Sequence, residues 1–247
     1  MTIINARRAV NRSHPLARAL FNCIIFDGLL PIDLVIGIPP YQQTAPQIVT
    51  YDGVGRYTNH YSTAKLFYND LRNIAAGDMT AWIRFIPKSF PHDFSAVFFK
   101  GTECSLFLDT SGNLSYHMLG GTVGSVSGTT GFAVNKIANL AMTRVGSAVN
   151  FWADGASIGS TTNSGTSSGL AGDLNVIEIG SRANQVGAQD SDFYALAFMT
   201  WSRALSQMEL ISLQYDVQQF IRPRPLVFTV PASVPPPPLT LMGQIWM

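Results

Sequence analysis

The residue types that most often perform chemistry are sparse in this chain of 247 residues, and they lie far apart. Only three glutamates occur, Glu103, Glu178 and Glu209. Acid–base hydrolysis of a glycosidic bond needs two carboxyl groups within about 5 to 10 Å, which Glu-x-Asp-x-Glu on one strand would supply. That pattern is missing, and the four histidines are too scattered to suggest a Ser/His/Asp arrangement. The sequence therefore predicts that the protein is not an enzyme.

Candidate metal ligands are also few. Asp190 and Asp192 lie near Asn184 in the sequence, and Asp154 falls in a turn. Oxygen donors of these types could surround Ca²⁺. Because Asp commonly shapes turns through bonds to its own backbone, we favour a structural role for them. No metal site is predicted.

Neither the cysteines nor the glycine-rich stretch indicates a cofactor. Cys23 and Cys104 lack a CxxC pattern and a nearby histidine pair, so we predict two buried free thiols. The stretch Gly120–Gly131, GGTVGSVSGTTG, is interpreted as a loop. It contains neither GxGxxG nor GxxxxGK[ST], and no helix is predicted after it, which argues against nucleotide binding. We expect no cofactor.

Three tyrosines are the candidate glycan-binding residues. Tyr51 and Tyr57 belong to the turn-rich stretch YDGVGRYTNH, and Tyr61 follows it. Exposed, these rings could stack on a sugar, whereas buried they would line the edge of a core. Tyrosine is ordinarily of intermediate burial, which favours the second role. The first remains open.

Alternating side chains predict antiparallel strands through the centre of the chain. Leu140–Ala153 alternates in period two around Gly146-Ser147, and Asp154-Gly155 follows as a second tight turn. Two further runs, Met79–Ile86 and Asp192–Trp201, are apolar on both faces, as expected for strands that are covered on both sides. Such strands need a second layer, so the pattern predicts a sandwich of sheets.

One short helix is marked near the end of this region. Ser206-Gln207-Met208-Glu209 has the form of a capping box, with Leu205 and Leu210 as the flanking apolar pair. Pro223 limits how far the helix can continue. The sequence therefore predicts a single helix after the last long strand.

Charge is distributed unevenly along the chain. Six of the 16 basic residues lie outside residues 27–216. Residues 27–216, the body of the chain, therefore contain ten basic residues and all fifteen acidic residues, a net charge of −5. Basic arms on an acidic body suggest that both arms lie on another surface. The absence of a basic run and of interleaved aromatics argues against nucleic acid as a partner. The predicted anchoring arginines are Arg7, Arg8, Arg12, Arg18, Arg222 and Arg224.

The stretch after Arg222 differs again in composition. Residues 222–247 carry seven prolines and predict an extended, partly polyproline II tail. An exposed apolar cluster is costly unless it docks, on its own domain or on a neighbouring subunit. The apolar anchor candidates of this tail are Leu239, Leu241, Met242, Ile245 and Trp246. We thus predict an extended arm over residues 1–20, a sandwich over 21–221 and a tail over 222–247.

The order of these pieces, from about residue 12 to 222, resembles the concanavalin A-like lectin/glucanase superfamily in its laminin-G-like jelly-roll branch. MTAWIRFIP resembles the central strand of that family, and IANLAMTRVGSAVNFWADGASI resembles its Asp-Gly hairpin. IEIGSRAN and DFYALAFMTWSRALSQMELISL are similar to its late strand and to its closing strand with capped helix. The resemblance implies an all-β, two-sheet antiparallel sandwich with one short C-terminal helix and extended arms. Because this fold serves many functions, it does not by itself imply one.

The start NRSHPLARALFNCIIFDG and the tail further resemble laminin-G-like proteins encoded in tailed-bacteriophage genomes. That resemblance implies a virion structural protein, with a capsid decoration protein as our main expectation. Its arms would anchor it to the major capsid protein or other virion subunits, as a homo-oligomer on the particle. The alternative is a lectin-like module of a tail or fibre that recognises host-surface glycans.

The expected location follows from that resemblance and from two further features. The chain lacks a hydrophobic signal core and any run of about 18 apolar residues. We therefore expect synthesis in the host bacterial cytoplasm, no membrane partner and a final place in the virion.

Overall fold

The computed structural model describes residues 8–26, 32–37, 41–44, 47–51, 54–59, 65–69, 77–90, 95–100, 104–118, 122–163, 176–180 and 192–223. The first strands are β1 (Arg8–Val10), β2 (Leu20–Ile25), β3 (Tyr41–Thr44), β4 (Gln47–Tyr51), β5 (Val54–Asn59) and β6 (Lys65–Asn69). They are followed by β7 (Met79–Ser89), β8 (Ser95–Lys100), β9 (Cys104–Leu108), β10 (Asn113–Met118), β11 (Thr122–Thr129) and β12 (Ala138–Val145). The last elements are β13 (Ala148–Ala153), β14 (Ala156–Thr162), β15 (Val176–Ile179), β16 (Asp192–Trp201), helix α1 (Gln207–Tyr215) and β17 (Ile221–Pro223). A short 3-10 helix covers Pro15–Ala17.

Two antiparallel sheets form the body of the protein. One is seven-stranded, in the order β11-β10-β9-β8-β15-β6-β3. The other is eight-stranded, in the order β14-β13-β12-β7-β16-β5-β4, with β2 paired to β16. A separate two-stranded ribbon joins β1 to β17. This arrangement confirms the predicted all-β sandwich.

The central meander forms as the sequence predicts. β12 pairs with β13 from Leu140↔Ala153 to Val145↔Ala148, and β13 continues into β14. Asp154 and Gly155 both have positive φ, 46° and 74°, as the two central residues of a type I′ turn require. The Asp-Gly pair therefore fixes the register of this hairpin.

Strand β16 lies at the centre of the eight-stranded sheet. It pairs with β7 along its length, and its other edge pairs with β5 at residues 193–195 and with β2 at residues 197–201. Its last seven residues are all buried. The prediction that this strand is covered on both faces is confirmed.

The main core fills the space between the two sheets. It combines Phe85 and Phe198 of the eight-stranded sheet with Phe98 and Leu106 of the seven-stranded sheet. At one edge Tyr116 stacks on Phe151 at 4.9 Å between ring centroids. Side chains from both inner faces thus interdigitate as in other sandwiches.

A second core covers the outer face of the eight-stranded sheet. Trp82 and Trp201 lie under Leu210 and Leu213 of α1 and under Leu16 of the N-terminal segment. The Trp201 Nε1–H donates to the Leu16 carbonyl oxygen at 2.6 Å. Residues 8–20, which the sequence suggested as part of an extended arm, therefore contain a strand, a 3-10 turn and buried packing contacts.

Two stretches differ from the sequence-based interpretation. The Gly/Ser/Thr stretch at 120–131, interpreted as a loop, contains β11, which forms the edge of the seven-stranded sheet. Small residues suit this strand because a Cβ on Gly124 would lie 2.4 Å from the Tyr116 hydroxyl oxygen. The turn-rich stretch at 51–60 contains β5, whose pairing with β16 depends on long-range contacts that local turn signals do not reveal.

The start of α1 is held by the predicted capping box. Ser206 Oγ accepts from the Glu209 N–H, and the Glu209 carboxylate accepts from the Ser206 N–H at 2.9 Å. Arg203 donates to both Glu209 oxygens, at 2.7 and 3.1 Å, and to the carbonyl of Pro15. Burial alone would raise the pKa of Glu209, but these hydrogen bonds from Arg203 and Ser206 outweigh it and lower the pKa. Within the described ranges, no helix has the length and apolarity needed to cross a bilayer.

The turn beneath α1 gives the first prediction. Gly155→Ala combines a positive φ with a Cβ that would lie 2.7 Å from Ile211 Cγ1, whereas Gly146 has a positive φ of 56° and open space around it. Gly146→Ala should lower the free energy of unfolding by about 1 kcal/mol through backbone strain alone. Gly155→Ala should lose about 1–3 kcal/mol more through overpacking. Urea unfolding measures both, and equal losses would contradict the role of the Ile211 contact.

The capping box gives the second prediction. Glu209→Gln should lower the free energy of unfolding by about 1–2 kcal/mol at pH 7, because it removes charge-assisted bonds. The folded pKa of Glu209 is depressed, so its contribution is present above the unfolded carboxyl pKa of about 4.3 and is lost as the pH falls through the folded value. Urea unfolding in a descending pH series should show the two proteins converging in acid. In an Arg203→Met background the pH-dependent difference should shrink, and an unchanged difference would refute the role of Arg203.

Candidate functional site

The predicted glycan-binding tyrosines do not form one described surface. Tyr57 on β5 pairs with Ile48 on β4 and with Ala195, a residue of the main core. Tyr51, on β4, pairs with Val54 and lies three residues after Ile48, the partner of Tyr57. Because side chains alternate along a strand, residues an odd number of positions apart point to opposite faces. The two positions therefore lie on opposite faces of the eight-stranded sheet. Tyr61 lies outside the described residues.

The pairing of β1 with β17 brings the two predicted basic arms together. Arg8 pairs with Pro223, and Ala9 pairs with Arg222, so these two arginines occupy neighbouring positions in the ribbon. Arg12 and Arg18 are exposed on the segment that follows. The remaining predicted anchors lie outside the described residues: Arg7, Arg224, Leu239, Leu241, Met242, Ile245 and Trp246.

The buried acid of the seven-stranded sheet does not complete a catalytic triad. Glu178 is paired with Phe99 on β8, Phe99 with Ser105 on β9, and Ser105 with His117 on β10. Glu178 is thus three strands from His117, or about 14 Å at the usual strand spacing. A triad acid must contact the histidine directly. This register therefore does not supply a Ser-His-Glu relay.

The possible metal ligands have structural partners where the structure describes them. One Asp154 carboxylate oxygen accepts from both the backbone N–H and the side-chain amide of Asn139, at 2.8 and 2.9 Å. Asp190 and Asn184 are not among the described residues. Over the ranges given above, no group of three or more His, Cys, Asp or Glu side chains could hold a metal ion. Cys23 and Cys104 are buried and free, and burial, reinforced by Asp33, raises the pKa of the Cys23 thiol.

Polar and aromatic side chains converge where β7 ends and β16 begins. β7 continues beyond Phe85, its last residue paired with β12, and Asn135 donates its N–H to the Pro87 carbonyl at 2.7 Å. The register shifts here, because Ser89 pairs with Asp192 and Pro87 with Phe193. Lys88 is the additional residue, and bulges of this kind reorient a side chain.

Five side chains form what we call the Asp192 site: Lys88, Ser89, Asn135, Asp192 and Tyr194. Ser89 Oγ donates to Asp192 Oδ2 at 3.0 Å. Lys88 Nζ donates to Asn135 Oδ1 at 2.5 Å and lies 5.3 Å from the centroid of the Tyr194 ring. Asn135 is exposed and the other four are half-buried. The site is therefore accessible on its outer side.

The inner side of the same end holds only a small pocket. It has a volume of about 10 Å³, room for about one water molecule, and is lined by Ser89, Asp192 and the rings of Phe90 and Phe193, among others. Ordinary ligand pockets measure about 300–1,000 Å³. A sugar is therefore too large to enter this pocket.

The chemistry of the Asp192 site suits a polyhydroxylated ligand. The Asp192 carboxylate can accept from hydroxyl groups, while Lys88 and the Asn135 amide can donate to them. The Tyr194 ring adds an apolar surface with a polar tip. This combination of a few polar groups and an aromatic ring is typical of small-ligand recognition.

Of these five residues, the sequence predicts a role only for Asp192, as a turn residue. Ser89 and Asp192 are 103 positions apart and meet because the two central strands are antiparallel neighbours. The available signal was the polar pair Lys88-Ser89 after one fully apolar strand and Asp192 at the start of another. Pairing those two strands would have predicted the contact.

Comparison of the sequence with protein families decides the classification. The family model for the concanavalin A-like lectin/glucanases superfamily matches residues 58–211, which is more than half of the chain. The chain belongs to this superfamily. The resemblance found in its strand order is thereby confirmed. No curated protein matches this concanavalin A-like chain.

Solved structures with the same fold include enzymes and binding domains. The sialidase of Trypanosoma rangeli in complex with sialic acid has a TM-score of 0.62 and 13% identity, covering 85% of this chain and 36% of the sialidase. The binding domain of botulinum neurotoxin serotype D has a TM-score of 0.60 and 12% identity, covering 80% of this chain and 51% of that domain. The receptor-binding domain of the C/D mosaic serotype has a TM-score of 0.58 at 11% identity. At these identities the concanavalin A-like fold alone is shared, and the chain spans only about a third of the sialidase.

Proposed function

We propose that this protein is a carbohydrate-binding module and that the glycan contacts the Asp192 site. The observation that carries the proposal is that two contacts, Ser89 with Asp192 and Lys88 with the Tyr194 ring, lie at adjacent positions where β7 pairs with the start of β16. A carboxylate, an ammonium group and an aromatic ring together can satisfy both the hydroxyl groups and the apolar face of a sugar.

The comparisons support the proposal only through the fold. Among the proteins of similar structure, the sialidase carries sialic acid in its solved complex, and the neurotoxin domain is described as receptor-binding. A shared fold of this kind is consistent with a glycan ligand, but it does not identify a binding site. The Asp192 site supplies the chemistry from this chain's own residues.

The proposal is binding and not hydrolysis of the glycan. The described hydrogen-bond partner of the Asp192 carboxylate is the hydroxyl of Ser89, whereas glycoside hydrolysis uses a second carboxyl group across the bond. Ser89 Oγ binds Oδ2 and thereby orients the carboxylate. An oriented acceptor favours recognition.

Of the sequence-predicted tyrosines, Tyr51 lies away from this location. β5 ends at Asn59, which pairs with Phe193 next to Asp192. Tyr51 pairs at the far end of β5, about 17 Å away along the strand. We therefore do not include Tyr51 in the proposed site.

Glycan-array binding followed by titration calorimetry tests this proposal. Tyr194→Ala should weaken binding by about tenfold, because it removes the ring, while Tyr194→Phe should retain most of the affinity. Asp192→Asn should also weaken binding by about tenfold, because it removes a charge-assisted acceptor. Asp216→Asn, a matched change of an exposed aspartate at the end of α1, should have no effect.

Two results would count against the proposal. If the parent protein bound no glycan on an array that includes bacterial surface polysaccharides, the carbohydrate-binding function would be wrong. If it bound glycan and Tyr194→Ala and Asp192→Asn bound equally well, the function would stand and the site would be wrong.

A second candidate function is that of a bacteriophage virion subunit anchored by its basic arms. The observation in its favour is the β1–β17 ribbon, which pairs residues 8–10 with residues 221–223 and so brings the two basic segments together at one place on the body. Two linked weak contacts on one lattice gain affinity by effective concentration. In this candidate function the protein is located in the virion, as predicted from the sequence. Its partners would be the major capsid protein or other virion subunits.

Quantitative mass spectrometry of particles purified from the producing bacterium tests the virion candidate. The protein should be present in a fixed ratio to the major capsid protein, with hundreds of copies for a decoration protein and at most a few tens for a tail or fibre. Replacing Arg7, Arg8, Arg222 and Arg224 by Gln should deplete it from particles, more strongly at high salt. Its absence from washed wild-type particles would overturn this candidate.

A further inference from the structure

Helix α1 is apolar on two sides, and only one of them is covered. Leu210 and Leu213 are buried in the second core. Met208 and Tyr215, on the same short helix, are 72% and 85% exposed. Large apolar side chains this exposed at one place on a surface often mark an interaction site.

The exposed residues form a continuous strip, which we call the outer stripe: Met208, Ile211 and Tyr215. They are spaced at i, i+3 and i+7, so they lie along one face of the helix. Ile211 is half-buried and sits over Gly155, where a Cβ would lie 2.7 Å from Ile211 Cγ1. Met208 and Tyr215, at the two ends of the stripe, are therefore more exposed than Ile211 between them.

The two helix residues that flank the outer stripe are uncharged. Gln207 and Gln214 flank it, and Gln207 Nε2 donates to the Gly155 carbonyl at 3.0 Å. The single acid of the helix, Glu209, is engaged by Arg203 and Ser206 on the other side. Two charged residues lie near the C-terminal end of the helix: Asp216 follows Tyr215, and Arg84 Nη1 donates to the Gln214 carbonyl oxygen at 2.8 Å. An uncharged apolar partner would bury no charge of its own by binding here.

We infer that the outer stripe is the docking surface for residues 239–247 of a second copy of this protein. That segment, LTLMGQIWM, has no charged residue and six large apolar residues. Its composition matches the uncharged, apolar stripe, and a short apolar segment laid on such a surface would shield Met208 and Tyr215 from water.

The length of the connecting chain favours a neighbouring copy over the same copy. Residues 224–238 contain six prolines, and fifteen residues of polyproline II would extend about 47 Å. Pro223 is joined to Asp216, at the end of α1, by seven residues, which span at most about 25 Å. A spacer extended to that length would carry residues 239–247 past their own helix and within reach of the helix of an adjacent subunit.

Sedimentation velocity of full-length variants across the micromolar range tests the inference. The wild type should self-associate. Met208→Ser with Tyr215→Ser should weaken this association by at least about tenfold, and so should Leu241→Ser with Trp246→Ser. Val145→Ser is the matched control and should associate like the wild type. Val145 is exposed and pairs with Ala148 at the start of β13, whereas Gly155 follows the end of β13.

Mixing the two defective variants separates this model from other contacts. The stripe variant retains an intact tail and the tail variant an intact stripe, so the mixture should form heterodimers and stop there. A monomeric wild type, unchanged association of either variant, or failure of the mixture to associate would each overturn the inference. Thermal melting confirms folding, since Met208 and Tyr215 are exposed and their replacement should leave the melting temperature within a few degrees. The inference does not depend on glycan binding, which is measured separately.

Discussion

The burial of strand β16 on both of its faces is the constraint on which the rest of the structure depends. Phe198 faces the seven-stranded sheet across the main core, while Trp201 faces α1 and the N-terminal segment in the second core. Burial of each large side chain contributes about 2–3 kcal/mol only if both layers are present. The chain therefore needs three layers, and the helix and N-terminal segment are as necessary as the second sheet.

The outer layer is attached to the sheet by directed polar contacts as well as by apolar packing. Thr80 Oγ1 donates to the Arg203 carbonyl and accepts from the Leu205 N–H, so the approach to α1 is fixed on β7. Arg203 then connects the helix cap to the carbonyl groups of Pro15 and Arg18. These bonds orient the segment, whereas the buried leucines and tryptophans supply most of the stabilisation.

The parts of the fold predicted from the sequence are those encoded locally. The Asp154-Gly155 turn, the Ser206–Glu209 capping box and the doubly apolar β16 each carry their signal within ten residues. Strand β11 was missed because Gly, Ser and Thr are also loop formers, and its strand state depends on pairing with β10. The Asp192 site was missed for a similar reason, since Ser89 and Asp192 meet only through the register of β7 and β16.

Strand β16 also separates the two ends of the molecule. Asp192 begins the strand, while Trp201 ends it beside Leu20 and the segment leading to the β1–β17 ribbon. Nine residue steps of strand correspond to about 30 Å, and the strand is paired on both edges. The strand thus holds the two ends of the molecule at a fixed separation. A molecule held at the ribbon would project its opposite tip away from the supporting surface at a fixed height and orientation.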